Sequence, residues 1–155
     1  MAMNIVLVEP EIPHNTGSIA RTCALTKTRL HLVKPLGFSI DDKHLKRAGL
    51  DYWPLVDINV YDSFEELLGK NPHGHFYFAT TKTDRLYTDI QYKDNSFFVF
   101  GKETKGLSEE ILNSNKGNLI KIPMISIARS LNLSNSANII IYEALRQMNF
   151  MQILD

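Results

Sequence analysis

Short apolar runs alternate with amphipathic stretches along the whole chain. Six apolar runs predict strands, at 4–8, 30–34, 57–61, 76–80, 97–100 and 119–123. Between them, the spacing of apolar residues predicts helices at 16–26 and 135–148, and acidic residues followed by basic ones favour a helix at 41–48. A short helix is predicted at 63–68, and the start of a helix at 108–112. The polar residues placed to cap these helices are Asn15 or Thr16, Ser63, and Ser134 or Asn135. This alternation predicts an α/β fold, with a mostly parallel sheet flanked by helices on both faces.

Composition narrows the class of protein. The 155 residues, 44% hydrophobic and 22% charged, are expected to form one domain spanning 1–155. The 17 basic and 17 acidic residues cancel, so any contact with nucleic acid must come from a local patch. The single cysteine, Cys23, excludes an intrachain disulfide and a cysteine-based zinc site. With no apolar run of the ~20 residues that span a bilayer, a cytoplasmic protein is the expectation.

Ligands of open α/β sheets bind at the carboxyl ends of strands, which directs attention to the residues after each predicted strand. Gly101 and Gly106 bracket a short polar loop there, although a tight turn would explain both glycines. The loop matches neither a P-loop nor a dinucleotide-binding fingerprint. Hydroxyl and amide side chains before the last helix outnumber what capping needs and favour a polar pocket wall: Ser130, Asn132, Ser134, Asn135 and Ser136.

Several charged and aromatic residues each carry two interpretations. Arg21, on the first helix, is either an ordinary surface arginine or a contact to a phosphate. The basic cluster Lys43, Lys46 and Arg47 is either a solvated helix face or a contact to an RNA backbone. Tyr142 falls in an apolar run, where packing in a core or an interface is the default. The five histidines are scattered, so no metal site is predicted.

Three stretches, in order along the chain, resemble the motifs of the SPOUT (trefoil-knot) RNA methyltransferases. They are 10–21, with Asn15, Gly17 and Arg21; 98–107, with Gly101, Glu103 and Gly106; and 122–124 together with 130–136. A fourth stretch, 42–53, is similar to a signature of the YibK/TrmL branch, the tRNA (cytidine/uridine-34-2'-O)-methyltransferases. One such motif alone would carry little weight, whereas the ordered set is specific.

The resemblance implies a deep C-terminal trefoil knot, a homodimer, and S-adenosylmethionine bound between three loops without a metal. It implies cofactor contacts, mainly through backbone groups, from Ala79, Thr80, Thr81, Gly101, Glu103, Gly106, Ile122, Met124, Ser130, Leu131 and Asn135. The implied substrate is the anticodon stem-loop of tRNA, methylated on the ribose of the wobble nucleotide. The residues implied to contact this RNA are Arg21, Lys43, Lys46 and Arg47.

The same resemblance makes Arg21 the key residue of the reaction. A guanidinium does not lose its proton at physiological pH, so Arg21 is expected to stabilise a developing alkoxide rather than to act as a base. Tyr142 would help to position the ribose. The residues implied to orient Arg21 and the loops are Asn15, Glu103 and Asn135.

Two other functions stay open. One is 2'-O-methylation of an rRNA ribose or of another tRNA position; the other is a non-catalytic RNA-binding or ribosome-assembly role. The presence of Gly101, Ser130 and Arg21 favours an enzyme, and the short chain, without an appended RNA-binding domain, favours the anticodon-loop type. The segment 125–128 is less polar than the family pattern, which leaves open how this loop closes over the cofactor.

Overall fold

The protein forms one six-stranded sheet with helices on both faces. The computed structural model describes residues 2–154, and residues 49–51 by their backbone alone. The strands of the sheet are β1 Met3–Val8, β2 Arg29–Val33, β3 Ile58–Tyr61, β4 His75–Ala79, β5 Ser96–Phe100 and β6 Leu119–Ile120. Their order across the sheet is β3-β2-β1-β5-β4-β6, and every neighbouring pair is parallel. All six predicted strands are confirmed, although β6 is shorter than the predicted 119–123.

Helices cover both faces of the sheet, as predicted. The α-helices are α1 Pro13–Thr26, α2 Lys43–Gly49, α3 Phe64–Lys70, α4 Glu109–Asn113 and α5 Leu133–Gln147, with 3-10 helices at Leu50–Leu55 and Lys116–Asn118. Along β1, Ile5 and Leu7 join the core beneath α1 and α5, whereas Val6 and Val8 join the core beneath α3 and α4. Alternate side chains of a strand point to opposite faces of the sheet. Because both faces are buried here, successive positions of a central strand, such as 5–8 of β1, are apolar.

The predicted cap of α1 is wrong. The helix begins at Pro13, its N-cap residue Ile12 makes no side-chain cap, and Asn15 and Thr16 are buried within the first turn. Pro13 has no N–H to satisfy, and the Asn15 N–H donates to the Ile12 carbonyl at 3.2 Å. Helix α1 thus begins without a side-chain cap from its own first turn.

The predicted cap of α5, Ser134 or Asn135, is wrong by two or three residues. Asn132 is the cap, and its Oδ1 accepts from Ser134 N at 2.9 Å and from Asn135 N at 3.2 Å. The helix starts early because Leu133 is buried and belongs to its apolar face. Ser63 caps α3 as predicted, accepting from Glu66 N at 3.1 Å.

Strand β6 is hydrogen-bonded on both of its sides. β4 pairs with it on one side, and Leu86 pairs with Lys121 on the other. Lys121 N donates to the Arg85 carbonyl at 2.9 Å, and Tyr87 N donates to the Lys121 carbonyl at 2.9 Å. The chain between β4 and Leu86 thus crosses from one side of β6 to the other. The trefoil knot itself stays a prediction.

On the other half of the sheet, β1, β2 and β3 are joined by hydrogen bonds between three buried side chains, Asn4, His31 and Tyr61. His31 Nε2 lies 2.9 Å from Asn4 Oδ1, and its Nδ1 lies 3.0 Å from the Tyr61 hydroxyl. Because Asn4 Oδ1 only accepts, His31 Nε2 carries the proton and Nδ1 accepts from Tyr61. Burial lowers the pKa of His31 to about 4, so the ring is neutral at physiological pH. Among the described helices, none has the length and apolar character to cross a bilayer.

Candidate active site

The carboxyl ends of β5, β4 and β6 lie side by side, because β4 sits between the other two strands. Gly101 follows β5, Thr80 and Thr81 follow β4, and Ile122 follows the bridge at Lys121. Neighbouring strands are about 4.8 Å apart, so the three following loops open onto one edge of the sheet. The segments that the resemblance assigns to the cofactor therefore meet at one place.

Gly101 allows the loop after β5 to close on itself. A Cβ at this position would lie 2.0 Å from the Gly106 carbonyl carbon and 2.2 Å from Leu107 N. Gly106 has a φ of +68°, a conformation that favours glycine, and its N–H donates to the Lys102 carbonyl at 2.8 Å. Both glycines are thus needed for a tight turn, whatever ligand the loop binds.

The Glu103 carboxylate ties this loop to the start of α1. Its Oε1 accepts from Glu11 N at 2.8 Å, and its Oε2 accepts from Ile12 N at 2.8 Å and from Asn15 Nδ2 at 3.3 Å. A carboxylate beside the N-terminal end of a helix also interacts favourably with the helix dipole. Glu103 therefore fixes the position of α1 relative to β5.

Glu11 returns the contact in the opposite direction. Its Oε1 accepts from Thr104 N at 3.0 Å and from Thr104 Oγ1 at 2.7 Å. The two hydrogen bonds from Thr104 lower the pKa of the Glu11 carboxyl. The segment after β1 and the segment after β5 thus each supply a carboxylate that accepts hydrogen bonds from the other segment.

Asn15 extends the connection to α5. Its Oδ1 accepts from Asn132 Nδ2 at 3.2 Å, while its own amide group donates to Glu103. Asn132 is at the same time the cap of α5, and Asn135 donates a backbone N–H to it. These contacts join the three motif stretches into one set, which we call the hydrogen-bonded cluster: Glu11, Asn15, Glu103, Thr104 and Asn132.

The segment from Ile122 to Leu131, here called the 122–131 loop, is built differently. Among its described backbone amides, only that of Ala128 donates to another protein group, the Ile125 carbonyl at 3.0 Å. Ser130 and Leu131 are exposed, and the side chains of Ile125 and Ile127 are 72% and 85% exposed. The loop therefore presents unpaired amides and exposed apolar side chains at the edge of the sheet.

These features fit a cofactor that carries an adenine and an amino-acid end. The amides of Ile122, Met124 and Leu131 are free to donate to ring nitrogens or carboxylate oxygens, and adjacent apolar side chains can cover a ring. The described residues contain no group of His, Cys, Asp and Glu side chains that could hold a metal ion.

Arg21 lies six residues, about one and two-thirds helical turns, beyond Asn15 and is exposed on α1. Its guanidinium carbon is 5.1 Å from the centre of the Tyr52 ring. The sequence pattern did not single out Tyr52, although it belongs to the 42–53 signature; Glu11 and Thr104 were missed as well. The only available signal for Glu11 and Thr104 was their place inside the first two motifs.

The remaining candidate residues lie on exposed helix surfaces. Lys43, Lys46 and Arg47 are exposed on α2, where Lys46 Nζ is 3.4 Å from Asp41 Oδ1. Tyr142 is 44% exposed on α5, so it does not pack in the core of a single chain. Helix α5 contacts α1 through Thr22 Oγ1, which donates to Asn138 Oδ1 at 2.6 Å.

Comparison with known proteins extends over nearly the whole chain. The model of the SpoU rRNA methylase family matches residues 2–142. A Listeria innocua (serovar 6a) relative, provisionally named tRNA (cytidine(34)-2'-O)-methyltransferase, is 56% identical over 153 residues, covering 97% of this chain and 90% of the relative. A Methylovorus glucosotrophus protein named tRNA (cytidine(34)-2'-O)-methyltransferase is 48% identical over 148 residues, covering 95% and 96%. A solved structure described as giving insights into the 2-OH methylation of C/U34 on tRNA matches with a TM-score of 0.92 at 39% identity, covering 96% of this chain and 97% of its own.

Proposed function

The chain belongs to the SpoU rRNA methylase family, and we propose that it methylates the ribose 2'-OH of nucleotide 34, a cytidine or uridine, in the tRNA anticodon loop. The observation that carries the proposal is near-complete coverage, at 48% identity, of a relative named for this reaction. The meeting of the three motif stretches at one edge of the sheet supports it. We further propose S-adenosylmethionine as the methyl donor and the cytoplasm as the compartment.

Three loops would hold the cofactor. Backbone groups would line the shared edge from Ala79, Thr80, Thr81, Gly101, Ile122, Met124, Ser130 and Leu131. Glu103, Gly106 and Asn135 would fix the loops behind them, which the hydrogen bonds of Glu103 to Glu11 N and of Asn135 N to Asn132 support. Bound S-adenosylmethionine supplies a methyl group on a sulfonium, a leaving group that needs no further activation. The protein must then align the ribose oxygen with that methyl group and exclude misaligned approaches.

Arg21 would act on the ribose oxygen. As the hydroxyl proton leaves, negative charge develops on the ribose oxygen, which would then take the methyl group as the bond from the methyl carbon to sulfur breaks. A fixed positive charge lowers the energy of that state, and a guanidinium supplies it without giving up a proton. A phosphate of the substrate, paired with Arg21, is proposed to relay the proton away from the oxygen. Tyr142 would position the ribose.

The RNA backbone would lie along α2. Lys43, Lys46 and Arg47 project from this helix into solvent, and α2 packs directly against α1, which carries Arg21. A local patch of this kind is what a chain with no net charge needs in order to bind RNA. Phosphate contacts of this type position an RNA without reading its sequence.

A homodimer is the proposed assembly. Helices α1 and α5 lie side by side on one face of the sheet and expose Leu25, Ile139 and Tyr142. Exposed apolar side chains on neighbouring helices are a typical interface between subunits. Analytical ultracentrifugation should give twice the chain mass of 17.7 kDa; a monomer at micromolar concentration would contradict this assembly.

The substrate assignment is tested by nucleoside mass spectrometry of RNA from a deletion strain. We expect the 2'-O-methyl group at tRNA position 34 to disappear and to return when the gene is restored. The family model is named for rRNA, so rRNA nucleosides are measured in parallel. Loss of an rRNA methyl group with unchanged position 34 would move the substrate to rRNA, and no loss in either would favour a non-catalytic role.

The role of Arg21 is tested separately by single-turnover methylation with saturating cofactor. Arg21→Ala should lower the rate roughly 100-fold or more, within the range found for removing one charge-stabilising donor. Binding of S-adenosylhomocysteine, measured by calorimetry, should stay unchanged. A near-normal rate in the variant would remove Arg21 from the mechanism.

A further inference from the structure

Tyr52 makes a contact that the proposed mechanism does not yet use. The Arg21 guanidinium lies over its ring at 5.1 Å from the centroid, within the range of a cation–π contact. Arg21 is exposed on α1, whereas Tyr52 is half-buried in the 3-10 helix Leu50–Leu55. An exposed arginine side chain otherwise samples many rotamers, so this contact selects among them.

Helices α1 and α2 approach each other closely next to this contact. A Cβ at Gly17 would lie 2.5 Å from the Ala48 Cβ and 2.5 Å from the Leu45 carbonyl oxygen. Gly17 and Arg21 are four residues apart, so they lie on the same face of α1. Leu45 is fully buried, which anchors α2, and α2 continues directly into the 3-10 helix that carries Tyr52. Gly17 thus brings the Tyr52 segment to the Arg21 face.

We propose that Tyr52 is a positioning residue that holds the Arg21 guanidinium by its flat face and leaves its N–H edges directed to the substrate. The proposal rests on the proposed function, in which Arg21 acts at the ribose oxygen. A guanidinium uses its face to stack and its edges to donate, so both contacts can exist at once. The segment that carries Lys43, Lys46 and Arg47 therefore also orients Arg21.

The neighbouring Trp53 provides a contrast within the same 3-10 helix. Trp53 packs against the hydrophobic core beneath α1 and α5, whereas Tyr52 stacks on Arg21. Truncation of Trp53 should therefore lower the thermal midpoint, and truncation of Tyr52 should act mainly on the reaction rate. Trp53→Leu is the matched control for Tyr52→Leu.

The test compares Tyr52→Leu, Tyr52→Phe and the wild type in single-turnover methylation of tRNA. Tyr52→Leu should lower the rate roughly three- to tenfold, the effect of losing one cation–π contact, and Tyr52→Phe should restore most of it because the ring is kept. The dissociation constant for S-adenosylhomocysteine should not change. In an Arg21→Ala background, Tyr52→Leu should cause no additional loss, because Tyr52 acts only through Arg21.

Three outcomes separate this inference from the proposed function. If Arg21→Ala is slow but Tyr52→Leu has the wild-type rate, the role of Tyr52 is wrong and that of Arg21 stands. If Tyr52→Leu lowers the rate of the Arg21→Ala variant by the same factor as it lowers the rate of the wild type, Tyr52 acts through general structure and the inference is overturned. If Arg21→Ala itself keeps the wild-type rate, the proposed mechanism has failed first.

A second measurement keeps the inference testable if Tyr52→Leu does not fold. 4-Cyanophenylalanine at position 52 keeps the shape of the ring but withdraws electron density from its face. The rate should fall relative to Tyr52→Phe, because a cation–π contact weakens as the ring becomes electron-poor. Equal rates for these two variants would overturn the proposal.

Discussion

The hydrogen-bonded cluster and the 122–131 loop flank the same edge of the sheet but are built in opposite ways. In the cluster, both oxygens of Glu103 and one of Glu11 accept hydrogen bonds from the facing segment. In the loop, the amide of Ala128 alone among those described finds a protein partner. One side of the candidate site is complete within the protein, and the other side has groups that a ligand can satisfy.

This difference separates two tasks of a binding site. A preorganised wall holds its shape without ligand and reduces the ordering cost of binding. An open loop supplies hydrogen-bond donors that gain a partner only when the ligand arrives. Changes in the cluster should therefore affect stability even without ligand, whereas the loop should respond mainly to the cofactor.

The largest effect is expected where the turn after β5 closes. Gly101→Ala places a Cβ 2.0 Å from the Gly106 carbonyl carbon, so the backbone of the turn must move. The substitution should therefore lower the free energy of unfolding by about 3 kcal/mol. The displaced loop should also bind S-adenosylhomocysteine weakly. Urea denaturation and calorimetry measure the two effects. Gly117→Ala is the control, since a Cβ there meets nothing within 4 Å; equal stability of both variants would contradict the close approach.

The second effect should appear in the open loop when ligand is added. S-adenosylhomocysteine at 100 times its dissociation constant should slow hydrogen exchange of the Ile122, Met124 and Leu131 amides by roughly 100-fold, if exchange occurs from the free protein. The amides of Glu11 and Ile12 already donate to Glu103 and should change far less. Equal slowing of hydrogen exchange in the 122–131 loop and in the hydrogen-bonded cluster would show that the two regions respond to the cofactor in the same way.

The smallest effect is expected from removing one carboxylate of the cluster. Glu103→Ala leaves the Glu11 and Ile12 amides without their partner and should lower the free energy of unfolding by about 2 kcal/mol. Glu103→Gln keeps one acceptor oxygen and should lose less. Glu110→Ala, an exposed glutamate on α4, is the control for removing a charge. If Glu103→Ala and Glu110→Ala unfold at the same urea concentration, the cluster does not stabilise the protein.

Most of the fold could be predicted from local pattern. Continuous apolar runs indicated all six strands, and apolar spacing indicated α1 and α5. Charge order indicated α2, a capping serine accompanied α3, and α4 was indicated only as a helix start; each of these signals belongs to its own segment. The caps of α1 and α5 were wrong for a non-local reason. The Glu103 carboxylate reaches the start of α1 from 92 residues away, and Leu133 joins a core that only the folded chain forms.

The motif resemblance selected members for the candidate site, which stay a prediction, but it did not give the contacts between them. The motif resemblance selected Asn15, Gly101, Glu103 and Arg21 as one set. It did not show that Asn15 donates to Glu103 and accepts from Asn132, or that Arg21 lies over Tyr52. These contacts depend on how helices and strands pack, which side-chain spacing within one segment does not encode.

The amino-acid sequence by itself determined the class of fold, the order of helices and strands and the polar segments that follow the strands. These properties depend on hydrophobic periodicity and on backbone preferences over a few residues. The tertiary structure decided that β4 lies between β5 and β6, and hence that the three loops share one edge. It also decided which loop is preorganised and which is open, because hydrogen bonds between segments exist only after the sheet has placed those segments side by side.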